Sequence, residues 1–395
     1  MSAFFFIDQA LSSFGSHHVA PVKLFLRLAA HDVTTGSPSS FRFIKVSSLG
    51  IISYRLHGTD GVSIEAAKWE ASLRALGHDV TLIAGEGDEE VIKFPGLGIS
   101  DTEAIDQHAL ETALAAFDLV IVENICSLPL NPRATEAVAT ALKGRPAIMH
   151  DHDFSWHRAD TAAFGTPPDD PSWQHVTINQ FTRGELNARG IEAVCLYNRF
   201  AIDPPQGDRA AGRHYAKVTD ADRLIVQPTR ALARKNIGGG LDLAQALGAA
   251  YWLTGPAEDG YQSELDTALN TTDVPTVRFL GDLTIDDVYA ASDLVVLAST
   301  WEGFGNPALE AVTHRKPLVL GNYPVAEEIR SFGFTFFSLD EVDQIDRYLS
   351  DPIEEVLEQN LAIARAHFSL ADQPEELNKV LSSMGFGVSP PPFQR

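Results

Sequence analysis

The segment 299–310 concentrates residues that can hold an anionic, hydroxyl-rich ligand. It reads STWEGFGNPALE, with a Gly-Phe-Gly run between Glu302 and Glu310. The apolar run 294–297 before it predicts a buried strand, and a helical pattern follows. The glycines allow backbone N–H groups to approach a ligand, and the start of the helix offers unpaired donors to a phosphate. The alternative interpretation is an ordinary strand-to-helix turn with two solvated glutamates.

A second loop, 226–236, offers positive charge in a similar position. It reads VQPTRALARKN, leaves a predicted strand and opens a helix, with Arg230 and Lys235 five residues apart. Arginine binds phosphate as a planar fork and lysine as a point charge, so the pair could neutralise a diphosphate. Considered alone, the two cations could equally be solvated surface charges.

Two shorter signals lie in the first half of the chain. The turn 58–61, GTDG, precedes a helical pattern, and Gly61, with Asp60 beside it, would allow the backbone to approach a ligand closely. Glu123 and Asn124 follow the predicted strand 119–122 and should face the same cleft. A plain turn before a helix remains the alternative for the first signal.

The run 150–158, HDHDFSWHR, is the richest in titratable side chains and also follows a predicted strand. Either His150 or His152 could enter a cleft, and the sequence does not decide between them. Asp153 and Arg158 are the further polar candidates of this run.

The same run allows two other interpretations. Asp151 and Asp153 form an Asp-x-Asp pair, which can bind a divalent cation that carries a diphosphate, and the neighbouring histidines could complete a metal cluster. Because the basic pair in the second half already supplies positive charge, we expect no metal. The simplest alternative is a set of polar residues at the edge of a cleft with local hydrogen bonds.

Strands alternate with helical patterns along the chain, which predicts βαβ units and parallel sheets. A helix is expected from about Ser63 to a stop at Gly77. The predicted strands of the first half lie at 43–46 continuing to 51–54, then at 80–83, 119–122, 147–149, 175–178 and 193–196. Those of the second half lie at 224–226, 251–254, 277–280, 294–297 and 318–320, and a late helix is expected at 352–368.

The predicted organisation is therefore two α/β domains that face each other across a cleft. Pro204-Pro205 and several glycines mark the hinge. The expected units are an N-terminal extension 1–40, a first domain 41–202, a hinge 203–213, a second domain 214–368 and a C-terminal helix with its tail 369–395.

Composition restricts the class of partner. The 395 residues carry 30 basic and 53 acidic side chains, a net charge of −23, which opposes binding to nucleic acid or to an anionic membrane. No apolar run approaches the roughly 20 residues that span a bilayer, and the start of the chain does not resemble a signal peptide. With Cys126 and Cys195 as the only cysteines, a disulfide framework is not expected. These features favour a cytoplasmic protein.

Taken together, the two loops of the second half resemble glycosyltransferase family 4, the retaining nucleotide-sugar transferases of the GT-B fold. Glu302 and Glu310 stand at the Glu-x7-Glu spacing of that family, and Arg230 with Lys235 match its basic pair. The resemblance covers most of the chain from Phe41. Thr229 stands where the family often has glycine before the basic pair.

The resemblance implies a transfer of glucose or mannose from a UDP- or GDP-linked donor to a small soluble or saccharide acceptor. It implies retention by a front-face displacement that needs neither metal nor cofactor. Homodimerisation is left open. A non-catalytic nucleotide-sugar-binding protein and a nucleotide-sugar epimerase of the same fold remain the alternatives.

The resemblance also implies roles for individual residues. Donor contacts fall on Gly61, Arg230, Lys235, Glu302, Gly303, Phe304, Gly305 and Glu310, with Arg230 and Lys235 on the diphosphate, Glu302 and the backbone after it on the sugar, and Glu310 on the ribose. The catalytic set is Glu302, Arg230, Lys235 and one of His150 and His152. The acceptor would be met by Asp60, Asn124, Asp153 and Arg158.

Overall fold

Two parallel sheets, each covered by helices, make up residues 47–388, which are the part of the chain that the computed structural model describes. The predicted extension 1–40 and the predicted strand start at 43–46 lie outside the described residues. The first sheet has the strand order β3-β2-β1-β4-β5-β6-β7. Its strands are β1 Ser48–Arg55, β2 Asp79–Glu86, β3 Ile92–Lys93, β4 Leu119–Glu123, β5 Ala147–Asp151, β6 Trp173–Thr177 and β7 Ala193–Cys195.

The second sheet has the order β10-β9-β8-β11-β12, again with parallel neighbours. The prediction of two Rossmann-like parallel-sheet domains is confirmed. The sequence did not predict the two-residue edge strand β3, whose side chains are exposed. The strands of the second sheet are β8 Leu224–Gln227, β9 Ala250–Leu253, β10 Thr276–Arg278, β11 Leu294–Leu297 and β12 Leu318–Leu320.

The helices of the described residues connect these strands and then close the chain. None of them combines the length and the apolar character that a bilayer crossing requires. They are α1 Gly61–Ala75, α2 Gln107–Leu114, α3 Pro132–Leu142, α4 Gln180–Ala188, α5 Arg209–Ala216, α6 Ile237–Ala246, α7 Gln262–Thr271, α8 Ile285–Ala291, α9 Asn306–Thr313, α10 Pro324–Arg330, α11 Val342–Ser350, α12 Glu354–His367 and α13 Gln373–Ser383.

Local sequence explains where α1 begins and ends. Asp60 precedes it, and its carboxylate accepts hydrogen bonds from the backbone N–H groups of Val62 and Ser63, which have no partner inside the helix. After the helix, Gly77 adopts a φ of 91°, the left-handed conformation that glycine reaches without a Cβ clash. The helix therefore begins two residues before the predicted Ser63 and stops where predicted.

Each sheet reverses its strand order at one point, and these points position the candidate site. In the first sheet the reversal lies between β1 and β4, and in the second between β8 and β11. The connections from neighbouring strands leave in opposite directions there, which opens a crevice at the carboxyl ends of the strands. The loops after β8 and β11 are the two segments that the sequence singled out in the second half.

The chain passes between the domains twice. The first passage follows Phe200, and irregular chain continues to Asp208, so the predicted hinge 203–213 includes the first turns of α5. On the return, the backbone N–H of Phe200 donates to the carbonyl of Phe368, and that of Leu370 donates back to Phe200. Helix α13 then packs its Leu377, Val380 and Leu381 into the core of the first domain.

Removing one of these contacts tests the return of α13. Leu381 is fully buried against the first domain, so Leu381→Ala should lower the free energy of unfolding by about 2–5 kcal/mol through lost burial and the cavity left behind. Urea denaturation measures the change. Lys379→Ala on the same helix, with its side chain 68% exposed, should change stability by less than about 0.5 kcal/mol. Equal effects of the two changes would contradict the packing.

Candidate active site

The centre of the candidate site is a buried carboxylate held by two cations from the neighbouring loop. Lys235 Nζ lies 2.6 Å from Oε1 of Glu302, and an Arg234 guanidinium nitrogen lies 2.6 Å from Oε2. Burial of Glu302 would raise its pKa, but the two cations outweigh burial and hold the pKa below its ordinary value. Ser299 donates a further hydrogen bond to the same carboxylate. The loops after β8 and β11 are thus joined through Glu302.

Arg234 is the member of this group that sequence reasoning missed. Its neighbour Lys235 was chosen for its spacing from Arg230, yet Arg230 lies beside Glu258, with 2.5 Å between a guanidinium nitrogen and a carboxylate oxygen. Arg230 and Glu258 are each about one third exposed, whereas Glu302 is 8% exposed by side chain. The adjacency of Arg234 to Lys235 was the available signal, but adjacency does not show which side chain turns toward Glu302.

The backbone between the two loops explains why both cations reach the same carboxylate. Residues 233–235 form a single 3₁₀ turn, and Asn236 then takes a φ of 49° and caps α6. The backbone N–H of Thr300 donates to the carbonyl of Arg234 at 2.9 Å. The side chain of Gln227, at the end of β8, donates to the carbonyl of Lys235 at 2.8 Å. These bonds fix the turn against the end of β11.

The Gly-Phe-Gly run has a steric explanation at each glycine. A Cβ on Gly303 would lie 2.6 Å from an Asp153 carboxylate oxygen and 2.8 Å from the carbonyl oxygen of His152, both in the first domain. Gly305 has a φ of 90° and precedes α9, so a side chain there would be strained. The ring of Phe304 is buried against Phe200 and Phe368. Because this ring is buried in the core, only the backbone of Phe304 could make the predicted contact with the donor.

Glu310 lies one turn into α9 and is partly buried. The Tyr289 hydroxyl donates to its Oε2 at 2.8 Å, and burial raises the pKa of Glu310 despite that hydrogen bond. Among the described residues, no partner is found for its Oε1. The predicted contact of Glu310 with a ribose stays a prediction, and Oε1 is the atom that could make it.

The first domain places Glu123, His150 and His152 together at the carboxyl ends of β4 and β5. Nδ1 of His150 lies 2.9 Å and Nε2 of His152 lies 2.8 Å from the same oxygen, Oε2 of Glu123. His150 is 1% exposed, and its ring stacks on Trp69 with centroids 3.9 Å apart. His152 precedes Asp153, whose carboxylate borders Gly303. Of the two histidines, His152 is therefore the one beside the donor-side loop.

Two groups of side chains are to be considered as metal sites: the Asp-x-Asp pair and the group of Glu123 with the two histidines. Asp151 and Asp153 do not converge, because Asp151 pairs with His175 at 2.8 Å inside the first domain while Asp153 lies against Gly303. The ligand atoms of Glu123, His150 and His152 do lie within 4.8 Å of one another, a spacing that an ion could occupy. In the structure both histidines are hydrogen-bonded to the Glu123 carboxylate. The prediction of no metal stays a prediction.

The predicted acceptor residues have mixed surroundings. Both carboxylate oxygens of Asp60 are engaged by the α1 cap and by Arg55 at 2.8 Å, and Asn124 accepts the backbone N–H groups of His152 and Asp153. These two side chains therefore shape loops in this structure, and their acceptor contact stays a prediction. Of the other two, Asp153 lies against Gly303 and Arg158 lies 3.4 Å from Asp259 of the second domain. Nothing lies within 4 Å of a Cβ placed on Gly61, the predicted donor contact of the first domain.

Comparison with known proteins completes the assignment. The profile of the group 1 glycosyl transferases matches residues 241–349. Mannosylglucosylglycerate synthase of Thermotoga maritima is 27% identical over 426 aligned positions, which cover 85% of this chain and 98% of that protein. The synthase of the same name from Petrotoga mobilis is 26% identical, with 76% and 88% covered.

Solved structures agree at the level of the fold. HepE of Anabaena, in complex with UDP and glucose, has a TM-score of 0.70 at 17% identity, covering 85% of this chain and all of that one. Sucrose-phosphate synthase from Thermosynechococcus elongatus has a TM-score of 0.65 at 13% identity, with 86% and 99% covered. The chain is a glycosyltransferase with the GT-B fold. It transfers a sugar from a nucleotide-sugar donor.

Direct contacts between the two domains of the glycosyltransferase meet at the loop after β11. Asn179 Nδ2 donates to the carbonyl of Gly303 at 2.6 Å, and Asn306 Nδ2 donates to Glu65 at 3.0 Å. The ring centroids of His157 and Trp301 lie 4.4 Å apart. Sequence reasoning did not select Asn179, Asn306, Glu65 or His157. Their partners lie far away in the chain, and no local pattern identifies them.

The close approach at Gly303 is testable by adding one methyl group. Gly303→Ala should lower the free energy of unfolding of the glycosyltransferase by about 1–3 kcal/mol, because the methyl group meets backbone and carboxylate oxygens across the cleft. Thermal and urea unfolding measure the loss. Gly238→Ala, at a helical glycine with nothing within 4 Å of an added Cβ, should be neutral or stabilise by up to about 1 kcal/mol. A Gly303→Ala protein as stable as Gly238→Ala would contradict the contact.

Proposed function

We propose that the glycosyltransferase transfers a hexose, with mannose from GDP-mannose as the first candidate and glucose from UDP-glucose as the second, to a small anionic glucoside. Transfer proceeds with retention at the anomeric carbon and without a metal. The observation that carries the proposal is the pairing of the buried Lys235 and the partly exposed Arg234 with the buried carboxylate of Glu302, at the point where the second sheet reverses its strand order.

This group can serve both ends of the reacting bond. Lys235 and Arg234 balance the charge of Glu302 in the absence of donor. A bound diphosphate would compete for these cations and for Arg230, which leaves the Glu302 carboxylate to accept hydrogen bonds from hexose hydroxyls. The cations and the first turn of α9 then stabilise the negative charge that develops on the leaving diphosphate. Positioned charge of this kind replaces the neutralisation that a metal would supply.

The donor and acceptor choices draw on the relatives. The two synthases are named for mannosylglucosylglycerate, a product that contains a mannosyl, a glucosyl and a glycerate unit. A mannosyl donor and an acceptor with a glycerate carboxylate follow for this chain if the activity is shared. HepE was solved with UDP-glucose, which keeps glucose as the second candidate. Retention follows from the family resemblance of Glu302 and Glu310.

Arg158 is the candidate for binding the carboxylate of an anionic acceptor. The side chain is one third exposed at the mouth of the cleft, and its guanidinium lies at 3.4 Å, a long distance for an ion pair, from both Asp160 and Asp259. A carboxylate of the acceptor could replace either aspartate at closer range. With a net charge of −23, the protein otherwise repels anions, so a local cation is required to hold one.

A matrix of donors and acceptors tests the proposal. The full chain is incubated with GDP-mannose, UDP-glucose or ADP-glucose and with glucosylglycerate, glucose, glycerate or water, and products are read by mass spectrometry. The expected result is one hexose added to glucosylglycerate from GDP-mannose, in the α configuration of the donor by NMR, and unchanged in excess EDTA. Hydrolysis alone, an inverted product, or a rate that Mn²⁺ restores after EDTA would each contradict a part of the proposal.

Two variants test the central ion pairs. Lys235→Ala and Glu302→Gln should each lower kcat by about 100-fold or more, since each removes charge that acts on the reacting diphosphate or sugar. Lys316→Ala is the matched control: this lysine is also largely buried, with its pKa lowered to about 8 by burial, but it precedes β12 at the opposite edge of the same sheet. It should reduce stability and leave kcat near wild type. Near-normal kcat in folded Glu302→Gln would remove Glu302 from the mechanism.

A further inference from the structure

The buried carboxylate of Glu123 has no role in the reaction described so far, yet it is bonded to the histidine beside the donor loop. Glu123 is 0% exposed, and its Oε2 lies within hydrogen-bond distance of both His150 and His152. Its other oxygen, Oε1, is buried and has no partner among the described residues. An ionised carboxylate in such a place is costly unless a positive charge lies against it.

The two imidazoles contribute differently to balancing the negative charge of Glu123. An ionised carboxylate only accepts hydrogen bonds, so both nitrogens that face it, Nδ1 of His150 and Nε2 of His152, carry hydrogens. Nε2 of His150 is buried without a partner in the described residues. Burial lowers the pKa of His150 and favours its neutral form. The positive charge that balances Glu123 therefore falls to His152.

The surroundings of His152 favour the same distribution. Burial alone would lower the pKa of His152, but Glu123, Glu65 and Asp153 outweigh burial and raise it. The titratable groups that face this ring are Glu123 on β4, His150 on β5, Glu65 on α1 and Asp153 on its own loop. Burial would raise the pKa of Glu123, but the two imidazoles bring it to about 2, so Glu123 is ionised at all pH values near neutrality.

The pairing also orients the ring. Because Nε2 of His152 is held by Glu123, the only side-chain hydrogen bond that this ring makes to the described residues, Nδ1 is the nitrogen left for a ligand. The backbone of the same residue is fixed as well, since its N–H donates to Asn124 Oδ1 at 3.1 Å and its carbonyl borders Gly303. The ring is thus held on the first-domain side of the loop that carries Glu302.

We propose that Glu123 is a positioning residue for the transfer reaction, which holds His152 in one orientation and keeps a proton on its ring so that Nδ1–H is presented to the transferred sugar or the leaving phosphate. Glu123 touches neither donor nor acceptor and acts through His152. The part that concerns catalysis rests on the proposed function. The pairing of Glu123 with His152 does not.

Two measurements on the full chain separate these parts. The first is an NMR titration of the ¹⁵N-labelled histidine ring of His152, assigned with His152→Gln, in the wild type and in Glu123→Gln. Loss of the carboxylate should move the titration of His152 to lower pH. The second is the pH profile of kcat and KM for hexosyl transfer. Glu123→Gln should move the alkaline fall of kcat to lower pH and reduce kcat about tenfold or more near neutral pH, with a smaller change in KM.

A neighbouring pair provides the matched control. Asp151 and His175 form a second buried carboxylate–imidazole pair in the same sheet, also at 2.8 Å, but His152 is not part of it. Asp151→Asn should lower stability without moving the alkaline limb of the profile. Glu123→Asp, which keeps the carboxylate on a shorter side chain, should recover part of kcat and of the His152 titration, and it replaces Glu123→Gln if that variant does not fold.

Each outcome decides a part of the proposal. An unshifted His152 titration in Glu123→Gln overturns the pairing, whether or not transfer is observed. A shifted titration with an unchanged kcat profile overturns the catalytic part, as does an equal change in Asp151→Asn. Stoichiometric Zn²⁺ in the purified protein that is lost in Glu123→Gln would assign the three side chains as metal ligands instead. Absence of transfer with every donor contradicts the proposed function, and the ring titration still decides the pairing.

Discussion

The ion pairs that Lys235 and Arg234 make with Glu302 hold the centre of this glycosyltransferase together. They join two loops that leave neighbouring strands of the second sheet, and Lys235 and Glu302 are nearly closed to solvent while Arg234 is about one third exposed. A carboxylate buried there without its cations would destabilise the fold by several kcal/mol. In the proposed function the same charges bind the diphosphate of the donor, so that stability without donor and recognition of donor both depend on one group of side chains.

The first domain repeats this arrangement with different chemistry. Its carboxylate, Glu123, also lies at the carboxyl end of a strand beside the reversal of strand order, and it is balanced by imidazoles rather than by lysine and arginine. The two buried carboxylates lie on either side of the contact between His152 and Gly303. The close fit at Gly303 brings these two charged groups to the same cleft.

The connection between the domains limits how this cleft can open. The chain crosses to the second domain near Phe200 and returns near Phe368. There the two segments are joined by backbone hydrogen bonds. Glu328 of the second domain also accepts the backbone N–H groups of Gln180 and Phe181 at the start of α4 in the first domain. Separation of the domains at the loop after β11 would break the contacts of Gly303 and Asn306 with the first domain.

The amino-acid sequence by itself determined the two parallel sheets, the two loops of the candidate site and the choice of Lys235, Glu302 and Glu310 as candidates. Apolar periodicity sets the strands, and parallel strands place their carboxyl ends at one edge, so a residue after a strand is assigned to the cleft without coordinates. The sequence also left His150 and His152 undecided and paired Lys235 with Arg230. Only the tertiary structure placed His152 beside Gly303, turned Arg234 rather than Arg230 to Glu302, and brought Asn306 to Glu65, 241 positions away. The physical reason is that the direction of a side chain and the identity of its distant partner depend on how the domains pack. Local sequence patterns do not contain that information.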